Sequence, residues 1–164
     1  MKDTYLVGNY SINCKGNLID LSTPKIMSIV NTTPDSFYDG GKYNTIEKAL
    51  QKVELDISNN TTFIDVGGYS SKPNANHVTE EEELKRTIPT IEAILNSFPK
   101  AVISIDTFRG KVAKEAIEAG AAMINDISAF ELDKEMINTL STCKVPYVFC
   151  LLYTSPSPRD TLLS

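Results

Sequence analysis

The run Lys25-Ile26-Met27-Ser28-Ile29-Val30 followed by Asn31-Thr32-Thr33-Pro34-Asp35-Ser36-Phe37-Tyr38-Asp39-Gly40-Gly41 decides the fold. Its first half is short, apolar and bounded, as expected of a strand covered on both faces. Its second half cannot prolong that strand. Pro34 lacks an amide donor, and Gly40 with Gly41 favours a turn. The segment is therefore a loop at the C-terminal end of a strand, the place where parallel α/β enzymes keep their active sites. Asn31 offers an amide oxygen suited to a hard cation, and Asp35 and Asp39 offer carboxylates.

Four further runs resemble the first: Thr62 to Val66, Ala101 to Asp106, Met123 to Asn125 and Tyr147 to Cys150. Helical patterns separate them. Asn44 with Glu47 and Thr79 with Glu82 have capping-box spacing. Leu84, Ile88, Ile91 and Leu95 recur every three or four residues, so that helix covers a sheet with one face. Pro89 lies inside it and removes one backbone hydrogen bond, which predicts a kink. Val112, Ala116 and Ala119 form a thinner stripe, and Gly120 is placed to end that helix in a left-handed conformation. Strands alternating with helices in this way predict right-handed βαβ crossovers. Ahead of them, Tyr5 to Ile12 and Leu18 to Leu21 predict an antiparallel hairpin around Lys15-Gly16-Asn17, a lid beneath the main sheet.

The 164 residues are 41% hydrophobic and 23% charged, the composition of an ordinary globular domain. A net charge of −5 gives no footprint for nucleic acid, and no apolar run approaches the roughly 20 residues of a membrane span. The N-terminus has no signal-peptide core. Cys14, Cys143 and Cys150 are odd in number and lack metal-site spacing, which predicts reduced thiols and a cytoplasmic protein.

Four blocks, in order, resemble dihydropteroate synthases of the pterin-binding family: Asn31 to Gly41, Ile64 to Pro73 (IDVGGYSSKP), Ile103 to Thr107 (ISIDT) and Ile124 to Ser128 (INDIS). The resemblance extends roughly from Leu18 to Cys150. The resemblance implies a TIM (β/α)8 barrel, and since such a barrel takes about 250 residues, the chain corresponds to its first five strands with the N-terminal β-hairpin. Residues 1–150 are then the N-terminal part of the barrel. Leu151 to Ser164, with Pro156 and Pro158 among Ser and Thr, resembles translated read-through of a sequencing adapter and is expected to be a non-native or disordered tail.

The family condenses 6-hydroxymethyl-7,8-dihydropterin pyrophosphate with p-aminobenzoate, releasing pyrophosphate. By resemblance, Asp106 and Asn125 hold the pterin, and Asp106 stabilises the cation that develops. Ser71 and Lys72 contact the diphosphate. Asn31 binds Mg2+, Asp39 belongs to the closing loop of the catalytic site, and Pro34 with Phe37 makes a slot for p-aminobenzoate. The partners implied are these small molecules, with no nucleic acid and no membrane, and a homodimer is the assembly open to the full-length form.

The residues themselves leave other readings open. A strand-end Asp often caps the following helix, which applies to Asp106 and equally to Asp65 and Asp126. His77 sits in a polar loop and reads as exposed, and the acidic run Glu80 to Glu83 reads as a charge cluster at a helix N-terminus. The second block departs from the usual GGESTRP of the family. Lys72 keeps the charge but not the fork of an arginine, and Tyr69 stands where a carboxylate usually does. Two rival functions remain: a methyltetrahydrofolate-dependent methyltransferase on the same barrel, and a truncated, non-catalytic product, this chain by itself being an inactive fragment.

Overall fold

Short apolar runs alternate with helical patterns along the chain, and the computed structural model follows that alternation. It describes residues 10–32, 42–69 and 77–149. The hairpin is β1 (Ser11–Cys14) paired antiparallel with β2 (Asn17–Asp20). Its turn places Lys15 and Gly16 at φ 50° and 89°, the two left-handed residues that match the twist of a tight hairpin. The first strand starts at Ser11, with Tyr10 outside it, and continues past Ile12 to Cys14; the expected residues before Tyr10 lie outside the described ones.

The repeating part consists of β3 (Met27–Asn31), α1 (Lys42–Ser58), β4 (Phe63–Gly67), α2 (Glu80–Ser97), β5 (Val102–Asp106), α3 (Gly110–Glu118), β6 (Met123–Asp126), α4 (Glu135–Cys143) and β7 (Tyr147–Phe149). The five strands are parallel and lie in chain order, β3-β4-β5-β6-β7. A doubly wound sheet reverses its order at a switch point, whereas sequential order with one helix layer is the winding of a barrel wall.

Alternation assigns each strand residue to one of two faces. Val30, Ile64, Val66, Ile103, Ile105 and Ile124 pack against Ala49 and Val53 of α1, Ile91 and Ile94 of α2, Val112, Ala116 and Ile117 of α3, and Met136 of α4. Each such isoleucine, fully buried, contributes about 1.5–3 kcal/mol. The opposite face carries three register rows: Met27, Phe63 and Val102 at the base, Ile29, Asp65, Ser104 and Met123 in the middle, and Asn31, Gly67, Asp106 and Asn125 at the C-terminal rim. The hairpin closes the base, where Cys14, Ile12 and Ile19 pack on Phe63, Met123, Met27 and Val102. Lys15 ties it to the helix layer by donating to the carbonyl of Ile117 at 2.5 Å.

Two local expectations need correction. α1 begins at Lys42, so Asn44 lies within the helix rather than at its cap. Burial on both faces holds for β4, all of whose residues are buried, but not for β3 or β7. Those two strands have one neighbour each among the described residues, leaving Ile29 and Phe149 more than half exposed. α2 runs from Glu80 to Ser97 with Pro89 inside it. The threonine hydroxyls on either side, Thr87 and Thr90, donate to the carbonyls of Glu83 and Arg86 at 2.8 Å.

The other two helix ends follow the sequence closely. Thr79 caps α2, its hydroxyl accepting from the Glu82 amide at 3.2 Å. Gly120 stands at φ +118° beyond α3, and the amides of Gly120 and Ala121 close back on the carbonyls of Ile117 and Ala116. That paired closure is the Schellman arrangement.

Candidate active site

The C-terminal rim of the sheet brings three of the residues singled out in the sequence into one row. Asn31, Gly67, Asp106 and Asn125 are register partners across β3, β4, β5 and β6, so their side-chain directions agree. Gly67 keeps the row open. A methyl group there would meet Asp106 Oδ2 at 3.3 Å and Asn31 Oδ1 at 3.7 Å, so the carboxylate and the amide oxygen flank the space above a bare backbone. The chain after β3 is fastened over the same residue: the amide and hydroxyl of Thr32 both donate to the Gly67 carbonyl, at 2.8 and 3.0 Å.

One row below, Asp65 Oδ2 accepts from Asn125 Nδ2 at 2.9 Å, which fixes the amide so that its oxygen points away from Asp65. Burial pushes the Asp65 carboxyl up, opposed by Ser104 and Asn125. Ser104 lies close enough to act on that charge, yet neither Asp65 Oδ1 nor Ser104 Oγ has a hydrogen bond of ordinary geometry. Asp106 is under greater pressure. Burial, then the neighbouring carboxylates of Asp65, Glu83 and Asp126, push its carboxyl up to about 7. A carboxylate so placed favours any ligand that brings N–H donors or positive charge.

Asp126 does not cap the following helix, α4, which begins at Glu135; it holds the loop after β6 instead. It is fully buried and accepts from the Ser128 amide and hydroxyl at 2.7 Å, from the Phe130 amide at 3.2 Å and from the Tyr147 hydroxyl at 2.7 Å. These bonds hold Ala129 and Phe130 at φ 49° and 70°, two consecutive left-handed residues that the loop after β6 requires.

Behind the rim lies a second polar group that sequence reasoning missed. Glu83, read as one of four acids clustered at a helix N-terminus, is fully buried. It forms an ion pair with Arg109 and accepts from the Thr107 hydroxyl at 2.7 Å. Arg109 also donates to the Val78 carbonyl at 2.7 Å and lies over the rings of Phe108 and Tyr69, 4.8 and 5.5 Å from their centroids. The available signal was spacing: Glu83, Thr87 and Ile91 fall on the buried side of α2, beside the apolar stripe. Tyr69, which stands in the place of an acid, meets the guanidinium with its ring instead of a carboxylate. His77 is exposed, edge-on to Tyr69.

Pro34, Phe37 and Asp39, and likewise Ser71 and Lys72, lie outside the described residues. Among the described residues no group of three or more His, Cys, Asp or Glu gathers in a way that would hold a metal ion. No helix among them is long and apolar enough to cross a membrane.

Residues 27–161 match the family described as pterin binding enzyme. The dihydropteroate synthase of Clostridium beijerinckii is 49% identical over 128 residues, 78% of this chain and 46% of that protein. The dihydropteroate synthase of Haemophilus influenzae is 42% identical over 142 residues, 86% of this chain and 50% of its own length. Among solved structures, Xanthomonas albilineans dihydropteroate synthase with 4-aminobenzoic acid superposes with a TM-score of 0.78 at 37% identity, covering 84% of this chain and 51% of that one. The Yersinia pestis synthase in a sulfonamide drug complex gives 0.77 at 34% identity, covering 93% and 57%. The chain thus spans about half the length of these relatives. The barrel winding, the rim row and the match over residues 27–161 agree: the chain belongs to the pterin-binding enzyme family.

Proposed function

We propose that the chain carries the pterin half of a dihydropteroate synthase site, which joins 6-hydroxymethyl-7,8-dihydropterin pyrophosphate to p-aminobenzoate. The observation that carries this reading is the rim row, with Asp106 and Asn31 flanking the open space over Gly67 and Asn125 held beside them. A pterin presents N–H donors along one edge, which suits the Asp106 carboxylate and the Asn125 amide oxygen side by side and leaves Asn31 Oδ1 to the diphosphate end. The relatives' names favour the synthase over a methyltransferase on the same barrel.

In the reaction the amine nitrogen of p-aminobenzoate bonds to the exocyclic methylene carbon, the carbon–oxygen bond to the diphosphate breaks, and its electron pair leaves with the diphosphate. The amine then gives up a proton. Asp106, once ionised, stabilises positive charge that spreads into the pterin as the leaving group departs. Asn125, its amide nitrogen committed to Asp65, orients the ring through its oxygen. Ser71 and Lys72 contact the diphosphate, Pro34 and Phe37 form the p-aminobenzoate slot, and Asp39 acts within the closing loop.

Magnesium fits the donors present. Asn31 offers one hard oxygen, and an ion that keeps several waters and takes phosphate oxygens needs few protein ligands. When bound, it neutralises charge on the diphosphate. We place the protein in the cytoplasm, consistent with the free thiols of Cys14 and Cys143, and infer a homodimer for the full-length form.

The test uses a barrel-complete form, residues 1–150 continued by the second half of the Clostridium beijerinckii relative. Asn31→Ala is expected to weaken magnesium-dependent binding of the pterin pyrophosphate, measured by calorimetry, and to spare a pterin without phosphates. Equal losses for both ligands would remove Asn31 from the diphosphate end.

A further inference from the structure

The hydrogen bond that closes β5 against β6 at the rim is donated by a residue just outside β5: the Thr107 amide donates to the Asn125 carbonyl at 3.0 Å. Alternation turns the Thr107 side chain away from the side that Asp106 and Asn125 share, toward the helix layer. There the hydroxyl donates to Glu83 Oε1 at 2.7 Å and accepts from the Arg109 amide at 3.1 Å, while the Arg109 guanidinium pairs with the other oxygen of Glu83. All three residues are buried, where such bonds are stronger than at the surface. A hydroxyl has one proton to give, and Glu83 takes it, which fixes the orientation of Thr107. Glu83 has little room to shift, since a methyl group on Gly68 would meet its Cγ at 3.0 Å and Thr87 Cγ2 at 2.8 Å. On its far side the same turn is tied to α4 and the residue two before it: the Gly110 amide donates to Asp133 Oδ2 at 2.8 Å, and the Gly110 carbonyl accepts from the Thr139 hydroxyl at 3.0 Å.

We propose that Thr107 is a positioning residue for the pterin row: through its hydroxyl bond to the buried Glu83 of α2 it holds the ends of β5 and β6 together, and with them Asp106 and Asn125 at the spacing that one ligand edge needs. This deepens the reading given above and rests on it. Two groups that grip one flat edge are sensitive to their spacing, because an error of about 1 Å in position can cost about a hundredfold in rate. Asn125 is held twice, its side-chain amide by Asp65 and its main-chain carbonyl by Thr107. Among the described residues none donates a hydrogen bond to the Asp106 carboxylate, so its place in the row is set by the backbone that Thr107 anchors. The turn after β6 is built differently. There Ser128 gives both its amide and its hydroxyl to Asp126 of its own turn, each at 2.7 Å. Thr107 reaches instead across 24 positions to another layer of the fold.

Two measurements separate this proposal from the function it rests on. Hydrogen exchange of residues 1–164 reads the anchor without any catalysis. Thr107→Val removes the hydroxyl at nearly constant volume and is expected to speed exchange of the amide at position 107 about tenfold, with Ile103 to Ile105 unchanged. Thr107→Ser keeps the hydroxyl and is expected to exchange like the parent. In the barrel-complete form, calorimetry with a pterin lacking phosphates reads the row. Thr107→Val is expected to weaken that binding about tenfold and to leave the KM for p-aminobenzoate within about twofold, while Thr107→Ser keeps the parent affinity. Thr139→Val is the control for lost stability. It removes another buried hydroxyl, the one bound to the Gly110 carbonyl, and is expected to lower the urea midpoint with pterin affinity within about twofold of the parent. Should Thr107→Val not fold, Thr107→Ala, which leaves room for a water on Glu83, takes its place with the same expectations. An unchanged amide at position 107, equal losses of affinity in Thr107→Val and Thr139→Val, or failure of both hydroxyl-free variants to fold overturns the positioning role. A barrel-complete parent that binds no pterin sinks the function, and exchange at position 107 then still decides the anchor.

Discussion

Asp106 concentrates the electrostatic cost of the rim. Its carboxyl rises from 3.8 to about 7 because burial and three other acids oppose ionisation. In the unfolded chain the group is ionised above about pH 4, so between pH 4 and 7 the folded state holds a proton that the unfolded state has lost. Stability therefore falls as pH rises through that window. Asp106→Asn removes the titration and is expected to stabilise the protein by an amount that grows from small near pH 4 to on the order of 2–4 kcal/mol above pH 7. Urea unfolding of parent and variant at several pH values checks this, and a constant difference from pH 4 to 8 would show that Asp106 titrates normally. The same variant is expected to lose affinity for a pterin, a cost in stability kept for function. Asp126, by contrast, spends its oxygens on the backbone and hydroxyls of its own loop and on Tyr147, and burial, with that carboxylate, holds the Tyr147 hydroxyl well above its usual range. Position placed both acids at strand ends and only the family resemblance separated them, because the difference lies in which hydrogen-bond donors the loop after β6 turns inward.

At the scale of elements, two glycines test how the repeats are joined. Gly120 and Gly16 both have positive φ, yet a methyl group at Gly120 would collide with Leu95 Cδ1, while at Gly16 it meets nothing within 4 Å. Gly16→Ala is expected to cost about 1–2 kcal/mol from backbone strain alone, and Gly120→Ala more than that, since Leu95 must also leave its place against the core. Thermal or urea unfolding of residues 1–164 decides it; equal costs would mean that Leu95 moves aside freely. Thr79→Ala, which removes the α2 cap, is expected to cost about 1 kcal/mol in the same assay. The strands, the α2 cap, the apolar stripe and Gly120 were legible because each depends on neighbours in sequence. Glu83 was not. Its side chain is buried by an arginine 26 positions later, and a run of four acids looks solvated until that partner is in place. Asn44 misled for a related reason: capping spacing marks a possible start, and α1 begins one turn earlier.

Over the described residues, sequential strand order and a single helix layer put the C-terminal strand ends on one rim, which is why Asn31, Gly67, Asp106 and Asn125, far apart in sequence, stand side by side. Ile26, Ile29, Val148 and Phe149, on β3 and β7 or just beside them, are 57, 58, 43 and 54% exposed, so the wall formed by the described residues is not closed. A polypeptide of residues 1–164 alone is accordingly expected to show no turnover. The most direct test of the proposed function is product formation by the barrel-complete form, with dihydropteroate followed in the presence of magnesium, the pterin pyrophosphate and p-aminobenzoate. Dihydropteroate is expected from the parent, with turnover reduced far more by Asp106→Asn than by Ser71→Ala, which removes one hydrogen bond worth about 0.5–1.5 kcal/mol. A folded barrel-complete protein that makes no dihydropteroate, or one whose turnover is untouched by Asp106→Asn, would contradict the assignment of the rim row as the pterin site.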